Sequence, residues 1–285
     1  MISFDYLASP GQLGNQMFKF AALKGIANKK KTEFLMPPSK RFLRNKQLFR
    51  VLNKLKIVDK RNQQNHFLFD FFEMSSVNNK NIGYSNSTSI IEEKSFNFDK
   101  NIFTTKYKSF DIYGFFQSYK YFDHIKAEIL RDFTFKKKIR NRSLSIFSSL
   151  VDPISIHIRR GDYLTNPNHN PLSLSYYENC IEMLGVKNQY IIFSDDPLWA
   201  REQKVFKSKN FLFSDTFTSG KQALDLCLMT LCEKQIIANS TFSWWGAYLS
   251  SQKVVLTPKE WFKNTNYSDR DTSDLYPNNW KQVEN

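Results

Sequence analysis

From residue 154 onward the chain alternates short apolar runs with amphipathic stretches. No other feature restricts its fold as much. ISIHIR, QYIIFSDD (189–196), NFLFSD (210–215), QIIAN and KVVLTP (253–258) read as strands, rich in isoleucine, valine and aromatics. SLSYYENCIEML (173–184) has helical character between the first two. Asp196 followed by Pro197 is a helix entry. In KQALDLCLMTLCEK (221–234), Leu224, Cys227, Leu228 and Leu231 share one helical face. FSWWGAYLSS reads as a further short helix, with Trp244 and Trp245 taken as core. Repeated β-α-β units predict a parallel sheet with helices on both faces. Ligands of such sheets bind beyond the carboxyl ends of the strands. Three polar clusters fall there: Arg159 to Asp162, Ser194 to Asp196, and Asn239 to Ser243.

The most unusual of these ends is ISIHIRRGDYL (154–164). Ile154, Ile156 and Ile158 alternate as in a half-buried strand, and then two guanidiniums, a glycine and a carboxylate follow. Arginine holds phosphate in two-point contacts and stays charged at any working pH. Glycine lets a ligand approach the backbone. Two readings stay open: a surface ion-pair turn, or a seat for an anion. His157 is either a hydrogen-bonded core histidine or a ligand contact. Ser240, Thr241 and Ser243 either cap a helix or form an anion site with its free N–H groups. Asp195 either accepts from a nucleobase or complements a helix dipole beside Asp196.

The first half is less regular. FDYLAS reads as a strand, GQLGNQ as a turn through Gly11, Gly14 and Asn15, and Phe20, Leu23 and Ala27 as positions of a following helix. That turn is either a weak anion contact or an ordinary connection. Residues 40–110, rich in Lys, Asn and Phe, read as a variable lobe, and the domain boundary is placed near 145, within NRSLSIFSSLVDP.

The 285 residues, 41% of them hydrophobic, suffice for large buried cores. A formal charge of +14 favours an anionic partner: nucleic acid, a membrane surface or a phosphorylated small molecule. The excess is scattered, as at Lys29 to Lys31 and Lys136 to Lys138, and forms no basic stripe interleaved with aromatics. A nucleic-acid partner is therefore not expected. No apolar run spans a bilayer, and MISFDYLASPG lacks the pattern of a signal peptide. Three cysteines fit a reducing compartment. The four dispersed histidines, with no CxxC or HExxH, predict no metal site.

HIRRGDY, FSDDP and ANSTFSWWGAYL in this order, preceded by GQLGNQMFKFA, resemble the α-1,2-fucosyltransferases of bacteria and animals. The resemblance covers most of the chain; it is strong in 11–22, 154–164, 190–199 and 226–250, and faint in 40–150. It implies a GT-B-like α/β fold: two Rossmann-type domains with an interdomain cleft, an acceptor-side domain over 1–145 and a donor-binding domain over 146–285. It implies transfer of L-fucose from GDP-fucose to the 2-hydroxyl of a terminal galactose, inverting and metal-independent, with no cofactor beyond the donor. The partners implied are GDP-fucose and a galactose-terminated glycan. The setting is the cytoplasm, with peripheral contact to an anionic leaflet through the basic surface.

Carried over, the resemblance gives Arg159 the donor β-phosphate, with preorganised charge in place of a metal. Arg160 and His157 position the donor or brace the loop. Asp195 matches a carboxylate that reads guanine, Ser240, Thr241 and Ser243 bind the diphosphate, and Asn239 counts among the donor-binding residues. Gly14, Asn15 and Gln16 close over the donor. Two departures stand out: Pro10 where many relatives have glycine, and Lys19 where glutamine is usual. For the base, Asp162, a carboxylate of the first half such as Asp5, and a donor phosphate oxygen all remain open.

Overall fold

The computed structural model describes residues 1–39, 66–85, 87–251 and 253–285. The chain forms two compact units: Met1–Lys136 with Asp271–Tyr276, and Lys137–Arg270 with Pro277–Asn285. The sequence boundary near 145 falls inside a helix, Lys137–Phe147, that was not anticipated. Its Ile146 packs with Ile191, Phe193, Leu228 and Met229, which ties it to the second unit.

The first unit holds four short parallel strands: β1 (Ile2–Ser3), β2 (Phe34–Leu35), β3 (Ile90–Glu92) and β4 (Phe110–Tyr113), in the order β2-β1-β4-β3. The strand expected over FDYLAS lies earlier, at Ile2–Ser3, and Asp5–Pro10 form turns. The ladder stops because Asp111 takes over its donors. Its Oδ1 accepts from the Asp5 backbone N–H at 3.0 Å and the Ser3 hydroxyl at 2.9 Å. The expected helix runs Leu13–Lys29 and is buried almost all round. Phenylalanine dominates this core: Phe4, Phe18, Phe20, Phe72, Phe110, Phe116, Phe122 and Phe133. Of the 40–110 stretch, 40–65 lies outside the described residues.

The second unit carries the alternation read from the sequence. Its strands are β5 (Ile154–Ile158), β6 (Tyr190–Ser194), β7 (Phe211–Phe213), β8 (Lys234–Ile236), β9 (Val254–Pro258) and β10 (Lys281–Val283). All pair in parallel, in the order β7-β6-β5-β8-β9-β10. Renumbered from β5, that is 3-2-1-4-5-6, the dinucleotide-fold order. One face packs Ile154, Ile156, Ile158, Tyr190 and Ile192 against Tyr176, Tyr177 and Cys180. The other packs Ile191 and Phe193 against Leu228 and Met229. Helices therefore cover both faces, as parallel sheets require. On β5 the second face is polar. Ser155 donates to Gln235 Oε1 at 3.3 Å, and Gln235 Nε2 donates to the Gly246 carbonyl at 3.3 Å. Strand order reverses between β5 and β8, which puts the ligand crevice of this unit beyond those two ends.

Candidate active site

Beyond β5 the chain turns sharply through Gly161–Leu164. Arg159 is held between two carboxylates. It donates to Asp162 Oδ1 at 2.6 Å and pairs with Asp195 Oδ2 at 3.1 Å. The Arg159 side chain is 19% exposed and that of Asp162 51%. Arg160 donates its backbone N–H to Asp195 Oδ1 at 2.9 Å and its Nε to Asp196 Oδ2 at 3.3 Å. Its guanidinium stands 3.7 Å from the Trp199 ring centre, a cation–π contact. Gly161 leaves room for Asp195: a Cβ there would stand 2.5 Å from Asp195 Oδ2 and push that carboxylate aside. Asp196 also caps the Pro197–Glu202 helix, accepting from Trp199 N–H at 3.3 Å. Asp195 thus meets Arg159 and Arg160 with both oxygens.

The β8 end is tied to the same place. Tyr163, on the turn after Arg159, donates its hydroxyl to the Asn239 carbonyl at 2.9 Å. Tyr176 donates to the Ile237 carbonyl at 2.7 Å, and Tyr177 to the His157 carbonyl at 3.3 Å. Ser240 caps the Thr241–Tyr248 helix, its hydroxyl accepting from Phe242 N–H at 3.4 Å. Ser243 Oγ donates to the Ser240 carbonyl at 3.3 Å and lies 2.9 Å from His157 Nδ1. With the hydroxyl proton spent, the network assigns the proton between them to His157 Nδ1. Burial, and then the Arg159 charge, push His157 down to about 3. It is a neutral brace between β5 and this helix at physiological pH. Arg159, Arg160, Asp162, His157, Asp195, Asn239, Ser240, Thr241 and Ser243 thus share one rim. Trp244 and Trp245 are fully buried, as expected.

The other expected residues belong to the first unit. Gly14, Asn15 and Gln16 open the Leu13–Lys29 helix. Asn15 Oδ1 accepts from Gln117 Nε2 at 3.0 Å. Gln16 Oε1 accepts from Phe67 N–H at 3.0 Å, and its Nε2 donates to the Ala8 carbonyl at 3.4 Å. Asp5 is buried, with Oδ1 accepting from Ser85 N–H at 3.0 Å. Near them lies a pair that sequence reasoning missed in part. Lys19, wholly buried, donates to the carbonyls of Pro10 (2.8 Å) and Tyr6 (3.2 Å), and burial lowers it to about 7. Glu93 accepts from the N–H groups of Phe115 (2.6 Å) and Phe116 (2.8 Å), and burial raises it to about 7. The only signal was a lysine inside an apolar helix.

Among the described residues no three His, Cys, Asp or Glu side chains are grouped to hold a metal, and no helix is long and apolar enough to cross a membrane. The rim is suited to an anion: two guanidiniums are preplaced, and the half-exposed Asp162 is the counter-ion that an incoming anion would most readily displace.

The family model described as glycosyl transferase family 11 matches residues 7–284. The O-antigen biosynthesis glycosyltransferase WbnK of Escherichia coli is 30% identical, over 92% of this chain and 96% of its own. An alpha-1,2-colitosyltransferase of Escherichia coli is also 30% identical, over 96% and 97%. A galactoside 2-alpha-L-fucosyltransferase of Bos taurus is 26% identical over 50% of this chain and 42% of its own. Among solved structures, fucosyltransferase NodZ from Bradyrhizobium aligns with a TM-score of 0.51 at 10% identity, over 87% of this chain and 93% of that one. That likeness shows the fold, a GT-B architecture of two α/β units with parallel sheets. The chain belongs to glycosyl transferase family 11, a glycosyltransferase family of α-1,2-fucosyl- and colitosyltransferases.

Proposed function

We propose that the protein transfers L-fucose from GDP-fucose to the 2-hydroxyl of a terminal galactose, with inversion and without a metal, in assembly of a surface glycan such as O-antigen. The observation that carries this is Arg159, fixed at the β5–β8 crevice by Asp162 and Asp195. The acceptor oxygen attacks the anomeric carbon from the face opposite the diphosphate. The anomeric C–O bond breaks and its electron pair goes to the β-phosphate. Arg159 stabilises that developing charge, the work a metal would otherwise do. Arg160 is held by Asp196 and Trp199 for the same anion. Asp162, half-exposed and freed from Arg159 when the diphosphate takes its place, takes the proton of the acceptor hydroxyl. The acceptor is a galactoside headed for a surface polysaccharide or a lipid-linked oligosaccharide, and the net charge of +14 supports peripheral contact with an anionic leaflet at the cytoplasmic face.

The relative named as a colitosyltransferase favours a second reading, in which the donor carries colitose. The deciding assay mixes purified protein with GDP-fucose, lactose and EDTA. A product heavier by one fucose, 2-O-linked by NMR, is expected. Absence of product, of donor hydrolysis and of thermal stabilisation by GDP overturns the nucleotide-sugar reading.

A further inference from the structure

Among the buried polar side-chain atoms of the second unit that have no hydrogen-bond partner, three lie together: Asn239 Oδ1, Asn170 Oδ1 and His169 Nδ1. They belong to one cluster. Asn239 is 1% exposed, and its Nδ2 donates to the carbonyls of Asn170 at 3.0 Å and Trp261 at 3.2 Å. The reverse amide orientation would set its oxygen against two carbonyl oxygens, so the unpartnered atom is the acceptor. The His169 ring stacks on Tyr163 at 4.6 Å and 10°. The other side of that contact leads to Arg159, whose guanidinium is 5.5 Å from the Tyr163 ring centre. The cluster therefore sits beside the anion seat, at the β8 side of the rim, while Asp195 and Asp196 sit at the β6 side. Burial lowers the His169 pKa, so its ring is neutral at physiological pH.

Carboxamide oxygens only accept, and a phosphate has no proton to give them near neutral pH; hydroxyl groups do. Resting on the nucleotide-sugar reading above, we propose that Asn239, Asn170 and His169 form the subsite for the hydroxyls of the donor's sugar, and that they select L-fucose over its 3-deoxy counterpart, colitose. L-Fucose presents three contiguous hydroxyls, at carbons 2, 3 and 4. Colitose lacks the middle one and leaves a buried acceptor unsatisfied, the arrangement by which sites reject an analogue missing a hydroxyl.

The test measures Kd for GDP, GDP-fucose and GDP-colitose by calorimetry, with wild type, Asn170→Ala and His169→Phe. Phenylalanine keeps the stack on Tyr163 and removes the ring nitrogens. Circular dichroism checks folding. Wild type is expected to prefer GDP-fucose to GDP-colitose by about tenfold or more. In both variants the ratio falls toward one while Kd for GDP stays unchanged. Equal wild-type affinities for the two sugars overturn the subsite alone. Variants that weaken GDP as much as GDP-fucose also overturn it, because the cluster then serves the nucleoside or the fold. A wild type that binds no GDP overturns the nucleotide-sugar reading itself, and the subsite with it.

Discussion

Beyond β5 and β6, charged groups are paired with one another and still partly exposed: Arg159 with Asp162 and Asp195, Arg160 with Asp196. Beyond β1, β3 and β4, the polar groups are spent on backbone. Lys19 holds the Tyr6 and Pro10 carbonyls, Glu93 the Phe115 and Phe116 N–H groups, and Asp111 the Asp5 N–H. Both rims contain acids and bases, yet they do different work. A carboxylate facing a guanidinium is exchangeable, because an incoming anion replaces it. A carboxylate clasping two backbone N–H groups is a structural tie, and removing it loosens a turn. Residue type alone does not distinguish a site from a brace; the partner does.

The comparison breaks first at Arg159. Arg159→Ala is expected to lower transfer by about two to three orders of magnitude, with circular dichroism unchanged. Near-native turnover would mean that the pairing at the second rim is a brace as well. Lys24→Met tests the first unit. Lys24 pairs at 2.7 Å with Asp132, which also accepts from the Ser76 N–H at 2.8 Å. The variant leaves a buried carboxylate without its counter-ion, held only by Ser75 and Ser76 among the described residues, and denaturant unfolding should show a loss of about 3–5 kcal/mol. Below the unfolding transition its GDP affinity should match wild type; a weakened affinity would contradict the assignment.

A smaller effect is expected from Gly161→Ala, whose methyl group displaces Asp195 from Arg159. GDP affinity by calorimetry should fall about tenfold, near the value of one charge-assisted hydrogen bond. The smallest is a pH effect in the first unit. The folded pKa of Lys19 is depressed to about 7, so between pH 7 and 10.5 the unfolded chain binds more protons and stability rises with pH. The folded pKa of Glu93 is raised to about 7, so between pH 4.5 and 7 the folded chain binds more protons and stability falls as pH rises. Lys19→Met should flatten the upper limb and Glu93→Gln the lower one, by a few degrees of melting temperature. Unchanged pH profiles would remove the pair from this account.

Much of the second unit was legible because its signals are local. Ile154, Ile156 and Ile158 show a period of two over five strand residues. Asp196-Pro197 and Ser240 are caps, readable from neighbours. The first unit resisted for the same physical reason. Its strands are two to four residues long, too short for a period, and the Leu13–Lys29 helix is buried on nearly every side, so it has no polar stripe. Glu93 gave no local sign, because its partners lie 22 and 23 residues away.

The amino-acid order by itself determined that the second half is a β-α parallel unit, and that arginines, serines and carboxylates stand at the strand ends. Hydrophobic periodicity and capping act within a few residues, so they survive in the sequence alone. The tertiary structure decided which ends become neighbours. Strand order 3-2-1-4-5-6 brings β5 and β6 together, so that Asp195, 35 residues from Arg160, accepts its backbone N–H. It brings Asn239 to the Tyr163 hydroxyl across 76 residues. Such pairings are set by how helices pack on both faces of a sheet, a long-range burial that no short stretch of sequence encodes.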